Sequence, residues 1–264
     1  MGKIIAVLNE KGGVAKTTTV KNLSVGLANQ GKKVLAVDLD PSANLTTSLG
    51  YFQLDEGQKT ILDLFKLSEE CEDIPEGMGI LHHDEGIDLI PSEKIFHDYE
   101  SLLQSAMQKE VVLRRILLPL KDKYDFIFID CPAGLGIFVT NAMFAADSLI
   151  IPVQPQFLGA AAMMSLFAYI GKIRKMNGTG TKPELAGILF TMVKTNVRND
   201  TVVENQFRER YKDKYPIYDT HIPNSVRFSE SDGEGLSIYK YAPKCNSALV
   251  YRELVAEFIK KEGV

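Results

Sequence analysis

The sequence predicts an α/β fold in which a doubly wound, mostly parallel sheet is flanked by helices. Short apolar runs recur along the chain, and each is followed by a longer segment with the 3.6-residue period of a helix. A turn rich in lysine and glycine follows the first run, and aspartates end two later runs. Because the carboxyl ends of parallel strands meet at one edge of a sheet, we expect these polar groups to share one site.

The individual elements follow from this alternation. The predicted strands are residues 4–8, 33–37, 87–90, 126–129, 148–153 and 185–192. The predicted helices are residues 16–29, 100–118, 138–145, 160–176, 202–211 and 247–260. Residues 51–86 break the pattern, because they are acidic and contain one short amphipathic piece, residues 61–65. We expect a variable surface excursion there, within a single domain spanning residues 1–264.

Composition excludes several classes of protein. The net charge of −4 and the pI near 5.7 argue against a surface that is basic throughout, so nucleic-acid binding would need a local patch. The three cysteines form no C-x-x-C pair, and the four histidines lack the spacing of metal ligands. No apolar run approaches the roughly 20 residues of a membrane span, and we expect a cytoplasmic protein.

The turn at residues 11–19, Lys-Gly-Gly-Val-Ala-Lys-Thr-Thr-Thr, has the composition of a phosphate-binding loop. A loop between a strand and a helix directs backbone N–H groups and the positive end of the helix dipole at one point, which favours an anion. Gly12 and Gly13 let the backbone fold around that anion. Lys16 would supply a positive charge to the β- and γ-phosphates, and Thr17 a hydroxyl ligand for Mg²⁺.

Two residues depart from the general pattern G-x-x-x-x-G-K-[ST], since Glu10 and Ala15 occupy the places of its glycines. A glycine-containing turn with its lysines in solvent is the alternative. The second lysine, Lys11, gives the variant K-G-G-x-x-K-[ST]. With it the chain resembles the ParA/Soj-type partition ATPases, which are P-loop NTPases of the deviant Walker A type in the MinD/ParA superfamily. The resemblance implies ATP and Mg²⁺ as cofactors.

Two aspartates follow the second predicted strand, at the edge where the phosphate loop is expected. The resemblance implies that Asp40, the second aspartate of D-x-D-P, orients or activates the attacking water. Asp38 would lie in the Mg²⁺ shell or act as support. The family often continues Pro-Gln-Gly-Asn, whereas residues 41–44 are Pro-Ser-Ala-Asn, a difference that bears on the rate more than on the reaction. The alternative is an aspartate that caps a helix or turn.

The apolar run Phe-Ile-Phe-Ile at residues 126–129 ends in Asp130, which is the form of a Walker B element. The aspartate of such an element holds Mg²⁺ through water. Residues 131–136, Cys-Pro-Ala-Gly-Leu-Gly, resemble the second switch loop of the family. An aspartate that merely caps the next helix is the alternative, and it would have to coincide with two other motifs in the family's order.

The resemblance also assigns the base-binding segment and completes the predicted site. Residues 222–230 resemble the family's segment near the adenine, so that Pro223 and its backbone, with Thr191 to Val193 nearby, would contact the base. The predicted catalytic residues are Lys11, Lys16 and Asp40. The predicted nucleotide-binding set is Lys11, Gly12, Gly13, Val14, Ala15, Lys16, Thr17, Thr18, Thr191, Met192 and Pro223, and the predicted metal set is Thr17, Asp38 and Asp130.

The resemblance gives Lys11 a role outside its own site. In ParA-like proteins this lysine reaches across a nucleotide-sandwich dimer to the partner's phosphates, so ATP binding builds the homodimer and hydrolysis releases it. A cationic finger of this kind contributes about 10³ to 10⁵ in rate where an arginine supplies it, so a monomer should be nearly inactive. Ala15 is compatible with the phosphate cradle only if its φ stays below zero, and we expect binding with slow turnover.

The implied partners are non-specific DNA and a ParB-like centromere-binding protein that stimulates hydrolysis, with the ATP-bound form associated with the nucleoid. The C-terminal half is locally basic, and its candidate DNA contacts are Lys194, Arg198 and Arg227. Other basic residues there are Lys172, Arg174, Lys175, Arg208, Arg210, Lys212 and Lys214.

Two alternatives belong to other functional classes. A MinD-like positioning ATPase would use a C-terminal amphipathic membrane anchor, but the glutamates of residues 249–259 suit a helix packed on the core, so no stable anchor is expected. A nucleotide-gated regulator would bind ATP and hardly hydrolyse it. An iron–sulfur carrier is disfavoured, because three scattered cysteines do not suggest a cluster.

Overall fold

The computed structural model describes residues 2–155, 160–176, 183–194 and 198–263. The strands are β1 (Lys3–Val7), β2 (Val34–Asp38), β3 (Leu81–His82), β4 (Asp88–Ile90), β5 (Phe126–Asp130), β6 (Ser148–Val153) and β7 (Glu184–Phe190). The helices are α1 (Lys16–Ala28), α2 (Asn44–Ser48), α3 (Ile61–Glu69), α4 (Phe96–Leu103), α5 (Val112–Leu117), α6 (Ile137–Ala145), α7 (Ala160–Met176), α8 (Arg198–Tyr211), α9 (Val226–Gly233), α10 (Ile238–Tyr241) and α11 (Asn246–Glu262), with a 3₁₀ helix at Leu118–Asp122.

One seven-stranded sheet organises these elements, with the strand order β3-β4-β2-β5-β1-β6-β7. Its strand pairs are parallel except β3 with β4, which confirms the predicted fold class. The register places Asp130 of β5 beside Val7 of β1 and Asp38 of β2. The carboxyl ends of these three central strands therefore meet at the edge where the candidate residues lie.

Helices cover both faces of the sheet. Alternate residues of β1 divide between two buried clusters, so that Ile4 packs on one face and Ile5 on the other. On the face of Ile5, Phe258 of α11 lies 5.3 Å from Phe126 between ring centroids. The same cluster contains Val20 and Leu23 of α1, so α1 and α11 pack on this face together.

The predicted helix at residues 100–118 is wrong, because the structure has two helices, α4 and α5, separated by a turn. The buried side chain of Asn141 satisfies the backbone at this break. Its Oδ1 accepts from Leu113 N at 3.1 Å, and its Nδ2 donates to Lys109 O at 2.7 Å. A tertiary contact from α6 therefore replaces the helical hydrogen bonds that the sequence pattern implied.

The expected surface excursion at residues 51–86 is also wrong for its helical part. Helix α3 begins with a capping box. The Thr60 side chain accepts a hydrogen bond from the backbone of the first helical turn, and the Asp63 side chain accepts one from Thr60 N. Ile61 and Phe65 are completely buried in the main hydrophobic cluster. This stretch therefore belongs to the core and packs against α5.

Candidate nucleotide site

A cavity of about 670 Å³ opens at the carboxyl edge of the central strands. It lies between the phosphate loop, the segment that joins β2 to α2, and the segment that leads into α9. Its lining residues include Gly12, Gly13, Ala15, Lys16, Thr17, Thr18, Asp40, Asn44, Phe52, Ala133, Met192, Pro223, Asn224, Val226, Phe228 and Asp232. Most of the residues predicted for the nucleotide are therefore brought together.

The phosphate loop connects β1 to α1 and closes on itself. Gly13 has φ of 69°, and no atom lies within 4 Å of the place that a Cβ would take there. Lys16 is buried to 7% exposure, and its Nζ donates to Lys11 O at 3.2 Å. The lysine that was predicted to meet the phosphates thus lies folded over the loop, with its ammonium group in the cradle.

Side chains from the neighbouring strands support the back of this loop. Thr191 Oγ1 donates to Val14 O at 3.0 Å, and Gln154 Nε2 donates to Gly13 O at 2.5 Å. The side chain of Thr191 is completely buried and does not line the cavity, so the predicted contact with the base stays a prediction for its backbone. Val14 is likewise buried behind the loop. Sequence reasoning missed Gln154, although its position after β6 at the carboxyl edge is a signal that could have identified it.

Ala15 contradicts the condition set from the sequence, because its φ is +62° and its ψ is 36°. The residue directly precedes α1, and its carbonyl accepts the hydrogen bond from Thr19 N at 3.0 Å that starts the helix. Ala43 repeats the arrangement before α2, with φ of 55°. Met192, on the opposite wall of the cavity, has φ of 53°. Ala15 and Met192 therefore line the cavity in left-handed conformation, and Ala43 has this conformation at the start of α2, in places where glycine would be less strained.

Asp130 has the surroundings of a metal-shell carboxylate. It is completely buried, and its Oδ2 accepts from Thr17 Oγ1 at 2.6 Å. Its Oδ1 is buried without a hydrogen-bond partner in the part of the chain that the structure describes. Burial, reinforced by the charge of Asp38, raises the pKa of Asp130 well above its ordinary value. A hard divalent cation takes oxygen ligands, so the open oxygen and the adjacent hydroxyl fit Mg²⁺.

Asp38 is arranged differently, although it lies beside Asp130 in the sheet. Its Oδ2 accepts from Thr46 N at 2.8 Å and from Thr46 Oγ1 at 2.7 Å, and its Oδ1 accepts from Asp40 N at 3.2 Å. Burial raises the pKa of Asp38 to about 7, while the hydrogen bonds from Thr46 act in the opposite direction. Both oxygens hold the segment from β2 to α2. This favours a supporting role for Asp38 over a place in the Mg²⁺ shell.

Asp40, the residue predicted to position the attacking water, lines the cavity. Its Oδ1 accepts from Ser42 N at 2.9 Å and from Ser42 Oγ at 2.6 Å. Asn44 Nδ2 in turn donates to Ser42 Oγ at 2.9 Å. The serine found at the family's glutamine position therefore fixes the orientation of the Asp40 carboxylate.

The wall opposite the phosphate loop is built by two segments that pair through their backbones. Val193 N donates to Ile222 O at 3.0 Å, and Asn224 N donates to Val193 O at 3.0 Å. This pairing puts Met192 and Pro223, two of the residues predicted for the nucleotide, on the cavity. Helices α2 and α9 extend this wall. The sequence did not predict them, because they are too short to show a clear helical period.

Three of the other predicted residues, Lys11, Lys194 and Arg227, do not line the cavity. Lys11 is exposed and does not line it. Lys194 is exposed, and Arg227 on α9 pairs with Glu230 at 2.9 Å. The side chain of Arg198 lies outside the described residues. Arg208 pairs with Glu204, donates to Asp219 O and lies over the ring of Phe190. Because these contacts occupy its guanidinium group, it is a poor candidate for contacting a phosphate.

The chain is similar to known proteins along nearly its whole length. Residues 2–185 match the family described as AAA domain. The sporulation initiation inhibitor protein Soj of Bacillus subtilis is 37% identical over 257 residues, covering 97% of this chain and 98% of that protein. The chromosome-partitioning ATPase Soj of Treponema pallidum is 33% identical over 271 residues, covering 100% and 99%. The structure of cobyrinic acid a,c-diamide synthase from Mycobacterium smegmatis with bound ATP analogue and magnesium has a TM-score of 0.80 at 28% identity, covering 100% and 98%.

Proposed function

Because the chain belongs to the ParA/Soj family of P-loop ATPases, we propose that it binds ATP with Mg²⁺, hydrolyses it to ADP and phosphate, and acts in DNA segregation. The observation that carries this proposal is the buried, unpartnered Oδ1 of Asp130 beside the Thr17 hydroxyl, at the foot of the phosphate loop. A structural aspartate would have its oxygens satisfied, as Asp38 has.

The residues divide the work as follows. Backbone N–H groups of the loop and the start of α1 hold the phosphates, and Lys16 leaves Lys11 O to neutralise their charge. Thr17, with its hydroxyl, and Asp130, with its carboxylate, would hold the metal. Mg²⁺, when bound, offsets negative charge on the phosphate oxygens. Asp40, held by Ser42, orients the attacking water against the terminal phosphate.

We further propose that the working form is an ATP-dependent homodimer. Lys11 is exposed beside the cavity that its own chain forms and does not line it, which supports a contact with the partner's nucleotide. The ATP-bound dimer would bind DNA non-specifically, with Lys194, Arg198 and Arg227 as contacts, and a ParB-like protein would stimulate hydrolysis and release. Such a protein would be cytoplasmic and associated with the nucleoid when ATP is bound.

The membrane-anchored alternative is not favoured by helix α11. Its apolar residues Tyr251, Leu254, Val255 and Phe258 are buried against the sheet and α1. They are therefore not available to a lipid surface without unfolding the core. No helix in the described part of the chain is long and apolar enough to cross a bilayer. One observation supports the alternative of a regulator that hardly hydrolyses ATP. It is the left-handed conformation of Ala15 beside the phosphate cradle.

Titration calorimetry with MgATP tests the proposal. We expect the wild type to bind, and Lys16→Ala to bind at least about 100-fold more weakly, because it loses a charged hydrogen-bond donor to phosphate. Asp130→Asn should weaken binding only when Mg²⁺ is present, since it removes a carboxylate from the metal shell.

Lys33→Ala is the matched control, because Lys33 is an exposed lysine after α1. It should bind as the wild type does. A wild type without measurable ATP affinity at millimolar Mg²⁺ would contradict the proposed function altogether.

A further inference from the structure

Helix α1 contains a buried cation that the proposed chemistry does not use. Lys21 is completely buried, and its Nζ donates to three acceptors. These are Ser48 O at 3.3 Å, Leu236 O at 2.8 Å and the carboxylate of Asp232. The three hydrogens of the ammonium group are therefore all bonded, as a buried charge requires.

The acceptors of Lys21 belong to segments that form the cavity. Ser48 ends α2, Asp232 lies near the end of α9, and Leu236 follows α9. Ser48 and Asp232 line the cavity themselves, and the Asp232 side chain is 38% exposed there. Since α1 starts at the phosphate loop, Lys21 connects the helix that carries the loop with the two short helices of the opposite wall.

Neighbouring contacts hold the same corner. Asn22 Oδ1 accepts from Ile238 N at 2.8 Å, which ties α10 to α1. A Cβ at Gly235 would collide with the backbone of Gly50, so the turns after α9 and α2 touch directly. The turn that follows α9 is thus fixed to α1 and α2, and Lys21 extends this attachment into α9 itself by its bond to Asp232.

We propose that Lys21 is a positioning residue that sets the base-side wall of the nucleotide cavity, through Asp232 on α9 and Ser48 on α2. This role rests on the proposed nucleotide function. The phosphate cradle has its own supports, which are Thr191, Gln154 and the glycines of the loop. Loss of the Lys21 contacts should therefore affect recognition of the nucleoside and leave recognition of the phosphates intact.

The test compares two ligands, MgATP and magnesium inorganic triphosphate, by titration calorimetry on the full chain. In Lys21→Met, which keeps most of the side-chain volume, the Kd for MgATP should rise about tenfold, the equivalent of about 1.4 kcal/mol. The Kd for triphosphate should stay within about twofold of wild type, because the phosphate cradle that binds it has its own supports, away from Lys21.

Asp232→Asn provides the same test at a partly exposed position, should Lys21→Met fail to fold. It should show the same separation of the two ligands, and Lys240→Met, at an exposed lysine of α10, should change neither Kd. An equal loss of affinity for both ligands would overturn the positioning role, as would unchanged ATP affinity in Asp232→Asn. A wild type that binds neither ligand would overturn the proposed function, and this role with it.

Discussion

Ala15, which lines the cavity, and Ala43, which precedes the lining residue Asn44, have the same backbone strain. Each is the residue before a helix, each has φ near +60°, and each occupies a position where the family pattern has glycine. The left-handed conformation costs an alanine about 1–2 kcal/mol relative to its ordinary conformation, because Cβ approaches the following carbonyl. The strain persists because the helices that follow are held by buried contacts, such as that of Thr46 with Asp38.

Ala15→Gly should therefore stabilise the nucleotide-free protein. The relief of strain exceeds the extra entropy of an unfolded glycine by up to about 1 kcal/mol, so the free energy of unfolding should rise by that amount. Urea denaturation measures it. Ala28→Gly near the end of α1 is the control, since it should destabilise by about 0.5–1 kcal/mol. Equal destabilisation by both substitutions would show that Ala15 is not strained.

At the level of single residues, the sequence predicted where side chains lie better than it predicted which groups they bond. The order of strand, loop and helix is enough to bring Lys16, Thr17 and Asp130 to one place, because parallel strands end at one edge. It could not show that Thr191 would turn to the back of the loop or that Asp38 would bond Thr46. These hydrogen bonds depend on which neighbours the tertiary fold supplies. The burial of Lys21 depends on the tertiary fold in the same way.

At the level of elements, long periodic segments were predicted and short ones were not. Helices α1 and α11 run over 13 and 17 residues, whereas α2 has only five residues and α9 eight. The break between α4 and α5 was missed for a different reason. It depends on Asn141 in α6, which is distant in sequence, so no local pattern could reveal it.

Helix α8 is joined to the base-side segment by an ion pair that should make stability depend on pH. Glu204 Oε1 accepts from Arg208 at 2.7 Å and lies 3.4 Å from Nδ1 of His221, the residue before the segment that begins at Ile222. The hydrogen bond to Glu204 raises the pKa of His221 against its partial burial. The native state thus binds this proton more tightly than the unfolded state does, so the stabilisation is present below the ordinary histidine pKa of about 6.5 and is lost as pH rises through the raised value.

Urea denaturation at pH 6 and pH 8 tests this contact, with His221→Gln as the variant. The wild type should lose up to about 1 kcal/mol more than the variant between the two values, a small effect because the His221 side chain is 40% exposed. His97→Gln, at an exposed histidine of α4, should keep the wild-type difference. The contact would be excluded as a source of pH dependence if His221→Gln lost as much stability as the wild type.

At the level of the whole molecule, the sheet places two lysines of one loop in different surroundings. Lys16 is buried in the cradle of its own chain, whereas Lys11, five residues earlier, is exposed outside the cavity. In the proposed dimer, Lys11 would meet the nucleotide of the partner chain, so nucleotide binding would be connected with assembly.

Light scattering and steady-state hydrolysis with MgATP test this connection. We expect wild-type protein to be a monomer without nucleotide and a dimer with MgATP, and its specific hydrolysis rate to rise with protein concentration. Lys11→Ala should still bind ATP, because its own cavity is intact, but it should stay monomeric. Its hydrolysis should fall by about 10³, as for removal of a cationic finger. Lys33→Ala controls for the loss of one lysine and should behave as wild type. If Lys11→Ala dimerised and hydrolysed ATP as the wild type does, the lysine would serve only its own chain, and the dimer would need another explanation.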